Sequence, residues 1–360
     1  MLRIFASKIQ YMADFNPLTI EKITRETAQA VSLTFSVPEE LQKDYSFKAG
    51  QYITLKSEIN GEEVRRSYSL CSTPKSGLLK VTVKEVEGGT FSVMANTKFS
   101  VGQTLLVHPP EGRFVFEPVP SAKNDYAAFA AGSGITPIMA IMKTVLEEEP
   151  KSRFVLVYGN KSMDETIYHK ELLELQLNYG ERLDIEFVYS RTQEPESHFG
   201  RIERSTVNFV VKNKFKAYDF DRFYLCGPEK MINMVSEVLT ENGKTKDNIL
   251  FELFSSDDDG DVNAALDGKS KIKIIVDDEE FDFEMAQDNV ILDAALDQGI
   301  DAPHSCQGGI CASCIARITS GSATMRKNQI LTDDEVAEGL VLTCQAHPTS
   351  ASITVDYDEL

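Results

Sequence analysis

The sequence lacks any hydrophobic run long enough to cross a membrane. No stretch approaches the ~20 apolar residues that a membrane-spanning helix requires. The opening residues 1–12 contain a short apolar run and no small-residue cleavage site, so they do not resemble a secretory signal. We therefore expect no export and a cytoplasmic location, with residues 1–16 forming an N-terminal tail.

Positive charge is also scarce. The 37 Lys and Arg residues face 56 Asp and Glu residues, which disfavours binding to nucleic acid or to anionic membranes as the main task. Residues 251–360 hold 23 acidic against 6 basic side chains, whereas the first 250 residues are nearly balanced. This acidic C-terminal third predicts docking to a locally basic partner protein, although solvation of a small domain would also account for it.

Long low-complexity tracts are also absent, which argues against a disordered protein. A length of 360 residues with 42% hydrophobic content indicates two to three domains. Short β-rich runs at 30–37, 51–55, 66–70, 78–84 and 104–107 predict an antiparallel barrel or sandwich over residues 17–118. Strand patterns at 127–130, 154–158, 185–189 and 223–225 alternate with helical patterns at 137–146, 170–177 and 230–239. This alternation predicts an α/β domain with a mostly parallel sheet over residues 119–254.

The composition changes again after this second domain. Residues 255–270 are acidic and then rich in small side chains, so they are expected to form a linker. Strand patterns at 271–276 and 281–285, a helical pattern at 290–298 and a cysteine-rich loop follow. They predict a small α+β domain over residues 271–360.

Four of the six cysteines lie in this last domain, spaced as C-x4-C-x2-C with a distant fourth: Cys306, Cys311, Cys314 and Cys344. This is the plant-type spacing for a [2Fe–2S] cluster. Three thiolates on one tight loop require a closely curled backbone, and the pair Gly308-Gly309 removes the Cβ atoms that would obstruct it. Cys71 and Cys226 lie outside this set.

Three other uses of these cysteines fit the sequence less well. A structural zinc site usually pairs two C-x2-C units, and this sequence has one. Disulfides are disfavoured in a chain without a secretory signal. A Rieske centre needs two histidine ligands, but His304 and His347 do not sit in paired Cys/His boxes. The spacing therefore favours the [2Fe–2S] cluster.

The cysteine loop, together with Leu342-Thr-Cys-Gln-Ala-His-Pro348, resembles a plant-type ferredoxin domain fused behind a ferredoxin reductase-type flavoprotein. This resemblance implies an antiparallel β-barrel that binds flavin, an α/β parallel-sheet domain that binds nicotinamide nucleotide, and a β-grasp ferredoxin domain. The first two domains should then carry flavin and nicotinamide motifs.

The tetrapeptide Arg66-Ser67-Tyr68-Ser69 is similar to the R-x-Y-S flavin motif of that family. The resemblance implies that Arg66 reaches a flavin phosphate, that Tyr68 lies against the isoalloxazine ring, and that Ser69 hydrogen-bonds near the ring N5. An arginine fork suits phosphate and a tyrosine face suits a flat ring. Without the other motifs, an ordinary barrel strand would explain these residues.

A second flavin element is Gly88-Gly89-Thr90-Phe91-Ser92, which resembles the family's G-x-x-S at the start of a short helix, here expected over 92–96. Free N–H groups at a helix start, with a hydroxyl beside them, suit a pyrophosphate. A plain turn is the alternative. Flavin-binding residues are thus expected at Gly89, Thr90 and Ser92, with FAD as the flavin and FMN as the alternative.

The nicotinamide motifs lie in the second domain. The turn Gly132-Ser133-Gly134-Ile135-Thr136-Pro137 follows an apolar strand and is similar to the family's G-x-G-x-x-P, with Pro137 expected at the first helical position. The tripeptide Cys226-Gly227-Pro228 is similar to the family's C-G-P. The resemblance implies that Cys226 lies near the nicotinamide where hydride leaves, whereas a buried structural thiol is the alternative. The candidate residues here are Gly132, Gly134, Thr136, Pro137, Cys226, Gly227 and Pro228.

The pair Ser190-Arg191 ends the predicted strand 185–189, at the edge where such sheets bind dinucleotides. A hydroxyl and a guanidinium suit a 2′-phosphate, so NADPH is expected, with NADH as the alternative.

Among such reductases, the sequence resembles most the reductase components of phenylacetyl-CoA oxygenases (epoxidases), on residues 65–69 and 333–348. The resemblance implies hydride transfer from NAD(P)H to flavin, then single-electron transfer through the [2Fe–2S] cluster to an oxygenase or hydroxylase. Because the cofactors perform this chemistry, no side chain is expected to act as general acid or base. The alternatives are the reductase of another hydroxylase, dioxygenase or desaturase, an enzyme with its own organic substrate, and a non-catalytic redox sensor.

Overall fold

Six antiparallel strands form the first domain, here called the barrel domain, in the computed structural model, which describes residues 15–254 and 268–360. The strands are β1 (Asn16–Thr27), β2 (Ala30–Ser36), β3 (Tyr52–Ile59), β4 (Glu62–Ser69), β5 (Leu79–Lys84) and β6 (Thr104–Val107). Their order is β4-β3-β6-β1-β2-β5, and a bridge between Leu70 and Val81 brings the end of β4 to β5. Helix α1 (Thr90–Thr97) follows β5. The predicted antiparallel barrel is confirmed.

Strand β1 has no counterpart in the sequence prediction, although it is the longest strand of the barrel. Only Leu18 and Ile20 are fully buried along its twelve residues, and its pairing with β2 is interrupted by two register shifts. The apolar alternation is therefore too short to identify a strand, and hydrogen bonding to β2 and β6 defines it instead.

The second domain, here called the parallel-sheet domain, alternates strands and helices as predicted. Its elements are β7 (Asp125–Ala131), α2 (Ile135–Glu148), β8 (Arg153–Asn160), α3 (His169–Tyr179), β9 (Leu183–Tyr189), β10 (His198–Phe199), α4 (Arg204–Asn208) with a following π-helix (Phe209–Lys214), β11 (Phe220–Gly227), α5 (Glu229–Glu241) and β12 (Ile249–Leu253). All strand pairs are parallel, in the order β10-β9-β8-β7-β11-β12. The carboxyl ends of these strands therefore share one edge.

The barrel and parallel-sheet domains share part of one hydrophobic core. Phe114 and Phe116 of the barrel domain pack edge-to-face on tyrosines of the sheet, with ring centroids 5.7 Å apart for Phe114 and Tyr224 and 5.5 Å apart for Phe116 and Tyr126. Ala49 and Cys71 belong to the same buried cluster. Apolar burial thus fixes the barrel against the sheet.

The third domain, here called the grasp domain, is a five-stranded mixed sheet covered by a helix. Its elements are β13 (Lys269–Val276), β14 (Glu279–Ala286), α6 (Ile291–Asp297), β15 (Ile315–Ser320), β16 (Ala323–Met325), α7 (Asp333–Ala337), β17 (Leu340–Leu342), β18 (Ala346–Pro348) and β19 (Ser352–Asp356). The sheet order is β14-β13-β19-β15-β17, with β13 and β19 parallel, and β16 pairs with β18. The β-grasp prediction is confirmed. Within the two described ranges, no helix combines the length and apolar character needed to cross a membrane.

Several predicted boundaries differ from the structure. Helix α1 begins at Thr90 rather than at Ser92, and α2 begins at Ile135, so Pro137 is the third helical residue, still within the first turn that lacks internal N–H partners. Lys269 and Ser270 lie in β13 instead of the predicted linker, and Gly268 precedes them. Ser270 is buried, and its Oγ donates to the Ser350 carbonyl at 2.6 Å. The remainder of that linker, residues 255–267, and residues 1–14 of the predicted tail lie outside the described residues.

Because the barrel and parallel-sheet domains have hydrophobic cores separate from that of the grasp domain, we predict that a chain truncated after Ser256 folds by itself. Strand β12 completes the parallel sheet at Leu253, and the barrel and parallel-sheet domains bury their own clusters. We expect a cooperative thermal transition and a near-native circular dichroism spectrum for this fragment. A non-cooperative melt would show that the grasp domain is needed for folding.

Candidate functional site

All three domains line one cavity of about 420 Å³, a volume typical of small-molecule sites. Its barrel-domain lining includes seven predicted flavin-site residues: Arg66, Ser67, Tyr68, Ser69, Gly89, Thr90 and Ser92. The parallel-sheet domain adds Ser133, Thr136 and Glu252, and the grasp domain adds Cys306, Ile310 and Cys311. Motifs that lie more than 200 residues apart in the sequence thus meet at one site.

Strand β4 presents the R-x-Y-S residues to this cavity. The Arg66 guanidinium is exposed and donates one hydrogen bond, to the Arg65 carbonyl at 2.6 Å, which leaves its other donors available for an anion. The Tyr68 ring lies 5.7 Å from the Phe91 ring, and burial raises the pKa of its hydroxyl, so the phenol stays neutral. An arginine and a flat aromatic wall match the two ends of a flavin nucleotide.

Ser67 and Ser69 also face partners in other domains. The Ser67 hydroxyl is hydrogen-bonded to Ser305 of the grasp domain, so this residue contributes to the domain contact as well as to the cavity wall. The Ser69 hydroxyl donates to Glu252 Oε2 at 2.9 Å.

The start of helix α1 forms a second wall of the cavity. Its first N–H groups have no partner within the helix and so remain available to an anion. A Cβ atom at Gly89 would lie 2.6 Å from Ser92 Oγ, which explains the glycine. Ser92 Oγ accepts the Val86 N–H at 3.1 Å, so Ser92 also holds the turn that precedes the helix.

The G-x-G-x-x-P turn packs directly on the end of β11. A Cβ atom at Gly134 would lie 2.1 Å from the Cys226 carbonyl oxygen, so no larger residue fits there without displacing the backbone. Gly132 adopts a φ of 56°, and its carbonyl accepts a hydrogen bond from the Tyr158 hydroxyl at 2.9 Å. The Thr136 hydroxyl donates to the Ser133 carbonyl at 3.0 Å. The structure therefore places the glycine turn beside the tripeptide Cys226-Gly227-Pro228.

The Cys226 side chain is fully buried, and burial strongly raises the pKa of its thiol. Cys226 is the strand neighbour of the cavity residue Glu252 across β11 and β12, but it is not itself among the residues that line the cavity. Gly227 and Pro228 then turn the chain into α5.

Ser190 and Arg191 follow β9 at the carboxyl edge of the sheet. The Ser190 N–H donates to the Asn160 carbonyl at 3.0 Å, and the Arg191 side chain is exposed. The sequence prediction did not include Lys84, which lines the cavity and has a pKa lowered by burial. A Cβ atom at Gly132 would lie 3.5 Å from Lys84 Nζ, so this cation stands over the glycine turn. The lysine that ends the alternating pattern of β5 was the available signal.

Glu252 is the second cavity residue that the sequence prediction missed. Burial raises the pKa of its carboxyl to about 8, against the opposing effect of the Ser69 hydrogen bond, and the nearby Cys311 raises it further. The carboxyl therefore holds a proton at neutral pH, next to Ser69. An acidic residue inside the apolar run Leu-Phe-Glu-Leu-Phe was the signal that could have identified it.

A Glu252→Gln variant should reduce the pH dependence of stability. The pKa of a glutamate in the unfolded chain is about 4.3. Between that pH and about 8, the folded protein therefore binds more protons at Glu252 than the unfolded chain does. The free energy of unfolding consequently falls as pH rises through this range. Glutamine cannot lose a proton, so the melting temperature of E252Q relative to the wild type should rise from pH 5 to pH 8. The exposed Glu284→Gln variant serves as the control. Parallel melting curves for E252Q and wild type across this range would contradict the assignment.

The four cysteines of the grasp domain fall into two pairs. The Cys306 and Cys311 thiols are hydrogen-bond partners, which lowers the pKa of Cys306 to about 7 and raises that of Cys311. The Cys314 and Cys344 thiols pair in the same way, with the pKa of Cys344 lowered and that of Cys314 raised. Two pairs of thiols fit a cluster in which each of two irons takes two cysteines.

The surroundings of the cysteines also fit a cluster. The Gly308 N–H points at Cys306 Sγ over 3.4 Å, and the Gln345 amide lies 3.7 Å from Cys344 Sγ. Across the described ranges, no three His, Cys, Asp or Glu side chains close on one point as ligands of a single metal ion would. His304 and His347 bond to backbone carbonyls rather than to these cysteines.

Comparison with known proteins agrees with this geometry. Three family models match in order: an oxidoreductase FAD-binding domain over residues 17–116, an oxidoreductase NAD-binding domain over 129–237, and a 2Fe-2S iron-sulfur cluster binding domain over 274–349. The chain is 37% identical to a subunit of the 1,2-phenylacetyl-CoA epoxidase of Escherichia coli, over 96% of this chain and 99% of that protein. It is 30% identical to the ferredoxin reductase component of 3-ketosteroid-9-alpha-monooxygenase of Rhodococcus rhodochrous, over 94% and 96%.

A solved structure shares the three-domain fold. Phthalate dioxygenase reductase superposes with a TM-score of 0.60 at 23% identity, over 95% of this chain and 98% of that one. The cavity, the paired cysteines and these matches lead to one conclusion. The chain belongs to the family of oxygenase reductase components that join an FAD-binding domain, an NAD-binding domain and a 2Fe-2S ferredoxin domain.

Proposed function

We propose that this chain takes hydride from NADPH and delivers single electrons, through FAD and a [2Fe–2S] cluster, to the oxygenase component of a phenylacetyl-CoA epoxidase system. The observation that carries the electron route is the shared cavity, whose wall includes both the R-x-Y-S residues and the cluster ligands Cys306 and Cys311. When bound, the flavin supplies the conversion of an electron pair into single electrons, and the cluster supplies one-electron transfer.

The chain's own groups bind and position these cofactors. Arg66 and the free N–H groups of α1 suit the flavin phosphates, and the Tyr68 and Phe91 rings suit the flat ring system. The Glu252 carboxyl holds a proton at neutral pH, and it also accepts a hydrogen bond from the Ser69 hydroxyl. This contact lies at the cavity wall where the R-x-Y-S motif ends. The paired thiols of the grasp domain supply the four cluster ligands.

The nicotinamide nucleotide is proposed to bind along the carboxyl edge of the parallel sheet. The turn Gly132–Gly134 and the following Thr136 and Pro137 suit its pyrophosphate, and Cys226, Gly227 and Pro228 suit its nicotinamide end. Cationic side chains stand at three places along this edge: Lys84 over the glycine turn, Lys161 after β8 and Arg191 after β9. Lys84 suits the pyrophosphate that both nucleotides share, and Lys161 already pairs with Glu165 at 3.5 Å. Arg191 and the Ser190 hydroxyl are therefore the groups that favour the additional phosphate of NADPH over NADH.

The epoxidase assignment is supported by the 37% identity to the Escherichia coli protein, which covers nearly the whole of both chains. Reductase components of ketosteroid and glycine betaine monooxygenases, from Rhodococcus rhodochrous and Pseudomonas aeruginosa, are 30% and 27% identical over comparable lengths. A different oxygenase partner is therefore the second candidate. The two candidate partners are distinguished by testing each purified oxygenase component for NADPH-dependent turnover with this reductase.

The proposed electron route is tested by a Cys311→Ser variant of the full chain. Loss of one thiolate destabilises the cluster and leaves the flavin-binding residues intact. Reduction of cytochrome c by NADPH should fall steeply, and reduction of ferricyanide should stay near the wild-type rate. The chain ended at Ser256 should behave in the same way.

Cys71→Ser provides the matched control, since Cys71 is equally buried but lies outside the cluster set. The linear route from nicotinamide through flavin to cluster is wrong if Cys311→Ser reduces cytochrome c as fast as the wild type. It is also wrong if either altered chain loses its flavin.

Nucleotide choice is tested by an Arg191→Ala variant. A lost charge-assisted hydrogen bond to a 2′-phosphate costs about 1.5 kcal/mol or more, so the NADPH/NADH ratio of kcat/KM should fall by about tenfold. Arg201→Ala, which alters another exposed arginine of the same domain, is the control. An unchanged ratio in the Arg191 variant would remove the support for NADPH.

The acidic grasp domain predicts an ionic-strength effect on partner docking. If the acidic surface steers a basic oxygenase, the rate of electron transfer to that partner should fall as salt rises. Reduction of the flavin by NADPH in the same buffers monitors direct effects of salt on the reductase. A partner rate that is indifferent to ionic strength would leave solvation as the role of the acidic residues.

A further inference from the structure

The grasp domain contacts both other domains through polar side chains. Its contacts with the barrel domain include Arg65 with Asp301 at 2.8 Å, Thr54 with Ser305 at 3.1 Å, Glu111 with Ser313 at 2.9 Å and Arg113 with Glu335 at 2.5 Å. In the parallel-sheet domain, Glu229 bonds to Lys327 and Gln329. The grasp domain is therefore tied to both other domains by polar contacts.

Glu229 uses both of its carboxylate oxygens in this contact. Oε2 accepts from Lys327 Nζ at 3.0 Å, and Oε1 accepts from Gln329 Nε2 at 3.0 Å. The Glu229 and Lys327 side chains are each 18% exposed, so solvent and salt screen this pair less than they screen a surface ion pair. Glu229 is also the first residue of α5, directly after the tripeptide Cys226-Gly227-Pro228.

The Lys327 segment packs on the cysteine loop itself. Gly309, between Cys306 and Cys311, has a φ of 70°, and a Cβ atom there would lie 3.3 Å from the Lys327 carbonyl oxygen. The next loop residue, Ile310, packs on the hydrophobic core of the parallel-sheet domain and lines the shared cavity. Movement of the Lys327 segment would therefore move the loop that carries three of the four proposed cluster ligands, Cys306, Cys311 and Cys314.

We propose that Glu229 is a positioning residue for electron transfer from the flavin to the cluster, because it holds the cysteine loop against the flavin cavity through Lys327 and Gln329. This inference rests on the proposed function for the identity of donor and acceptor. Electron transfer slows steeply as donor and acceptor separate, and a functional group must be held closely by its supporting residues. Glu229 should therefore affect cluster reduction and leave the preceding hydride transfer unchanged.

The acidic residue at the start of α5 has a second role, which the choice of variants must separate. A carboxylate in the first turn of a helix stabilises that helix through the helix dipole. Glu229→Gln removes both this effect and the ion pair, whereas Lys327→Met removes the ion pair and leaves α5 unaltered. Glu237→Gln is the matched control, since Glu237 lies on the same helix in an exposed ion pair with Arg204 at 3.0 Å.

The experiment is anaerobic stopped-flow reduction of the intact holoprotein by NADPH, with flavin and cluster absorbance followed separately. E229Q and K327M should both reduce the flavin at the wild-type rate and reduce the cluster about tenfold more slowly, since small misplacements cost large factors in rate. E237Q should match the wild type in both phases. The exchanged pair E229K/K327E, which restores opposite charges, should recover most of the cluster rate.

A second measurement needs no turnover. A carbodiimide, which joins a carboxylate to an amine in direct contact, should link Glu229 to Lys327 in the wild-type protein, with the linked peptides identified by mass spectrometry and absent from K327M.

The inference is overturned if E229Q and K327M reduce the cluster as fast as the wild type, if K327M is normal while E229Q is slow, or if the exchanged pair recovers nothing. Absence of the Glu229–Lys327 link in the wild type would also overturn it. If NADPH reduces neither flavin nor cluster in the wild type, the proposed function itself fails, which is a distinct result.

Discussion

The hydrogen bond from Ser69 to Glu252 joins the end of a barrel strand to the end of the last strand of the parallel sheet. Because it ties the R-x-Y-S motif to the carboxyl edge of the sheet, the flavin-motif residues and the glycine turn line the same cavity. The shared aromatic core behind this bond keeps the two domains in that relation. The Glu252 carboxyl, whose pKa is raised to about 8, is thus both a structural contact and a chemical group of the site.

The grasp domain docks by a different kind of interaction. Its contacts with the barrel domain pair basic residues of the barrel, Arg65 and Arg113, with the acidic Asp301 and Glu335. The strongly acidic C-terminal third therefore has complementary charges within its own chain as well as a predicted acidic surface for a partner. Polar contacts of this kind specify orientation more than they add stability, which suits a domain that must present a cluster to a flavin.

The elements that the sequence predicted well are those with a regular apolar pattern. The central strands β7 and β8 are buried along most of their length, as expected in a parallel sheet with both faces covered, and the amphipathic helices were found within a few residues of their ends. Strand β1 was missed because only two of its twelve side chains, Leu18 and Ile20, are buried, so its sequence carries little apolar alternation. Helix starts were misplaced by two residues because glycine caps permit the helix to begin earlier than the pattern indicated.

The sequence by itself determined the cysteine set, since ligands within one loop are constrained by covalent spacing, and it determined the order of the three domains through their periodicity. Only the tertiary structure decided three contacts: the hydrogen bond between Ser69 and Glu252, the position of Lys84 beside the glycine turn, and the ion pair between Glu229 and Lys327. Each of these contacts joins residues about 50 to 180 positions apart. No local pattern encodes them, because their geometry depends on how separately folded domains pack together.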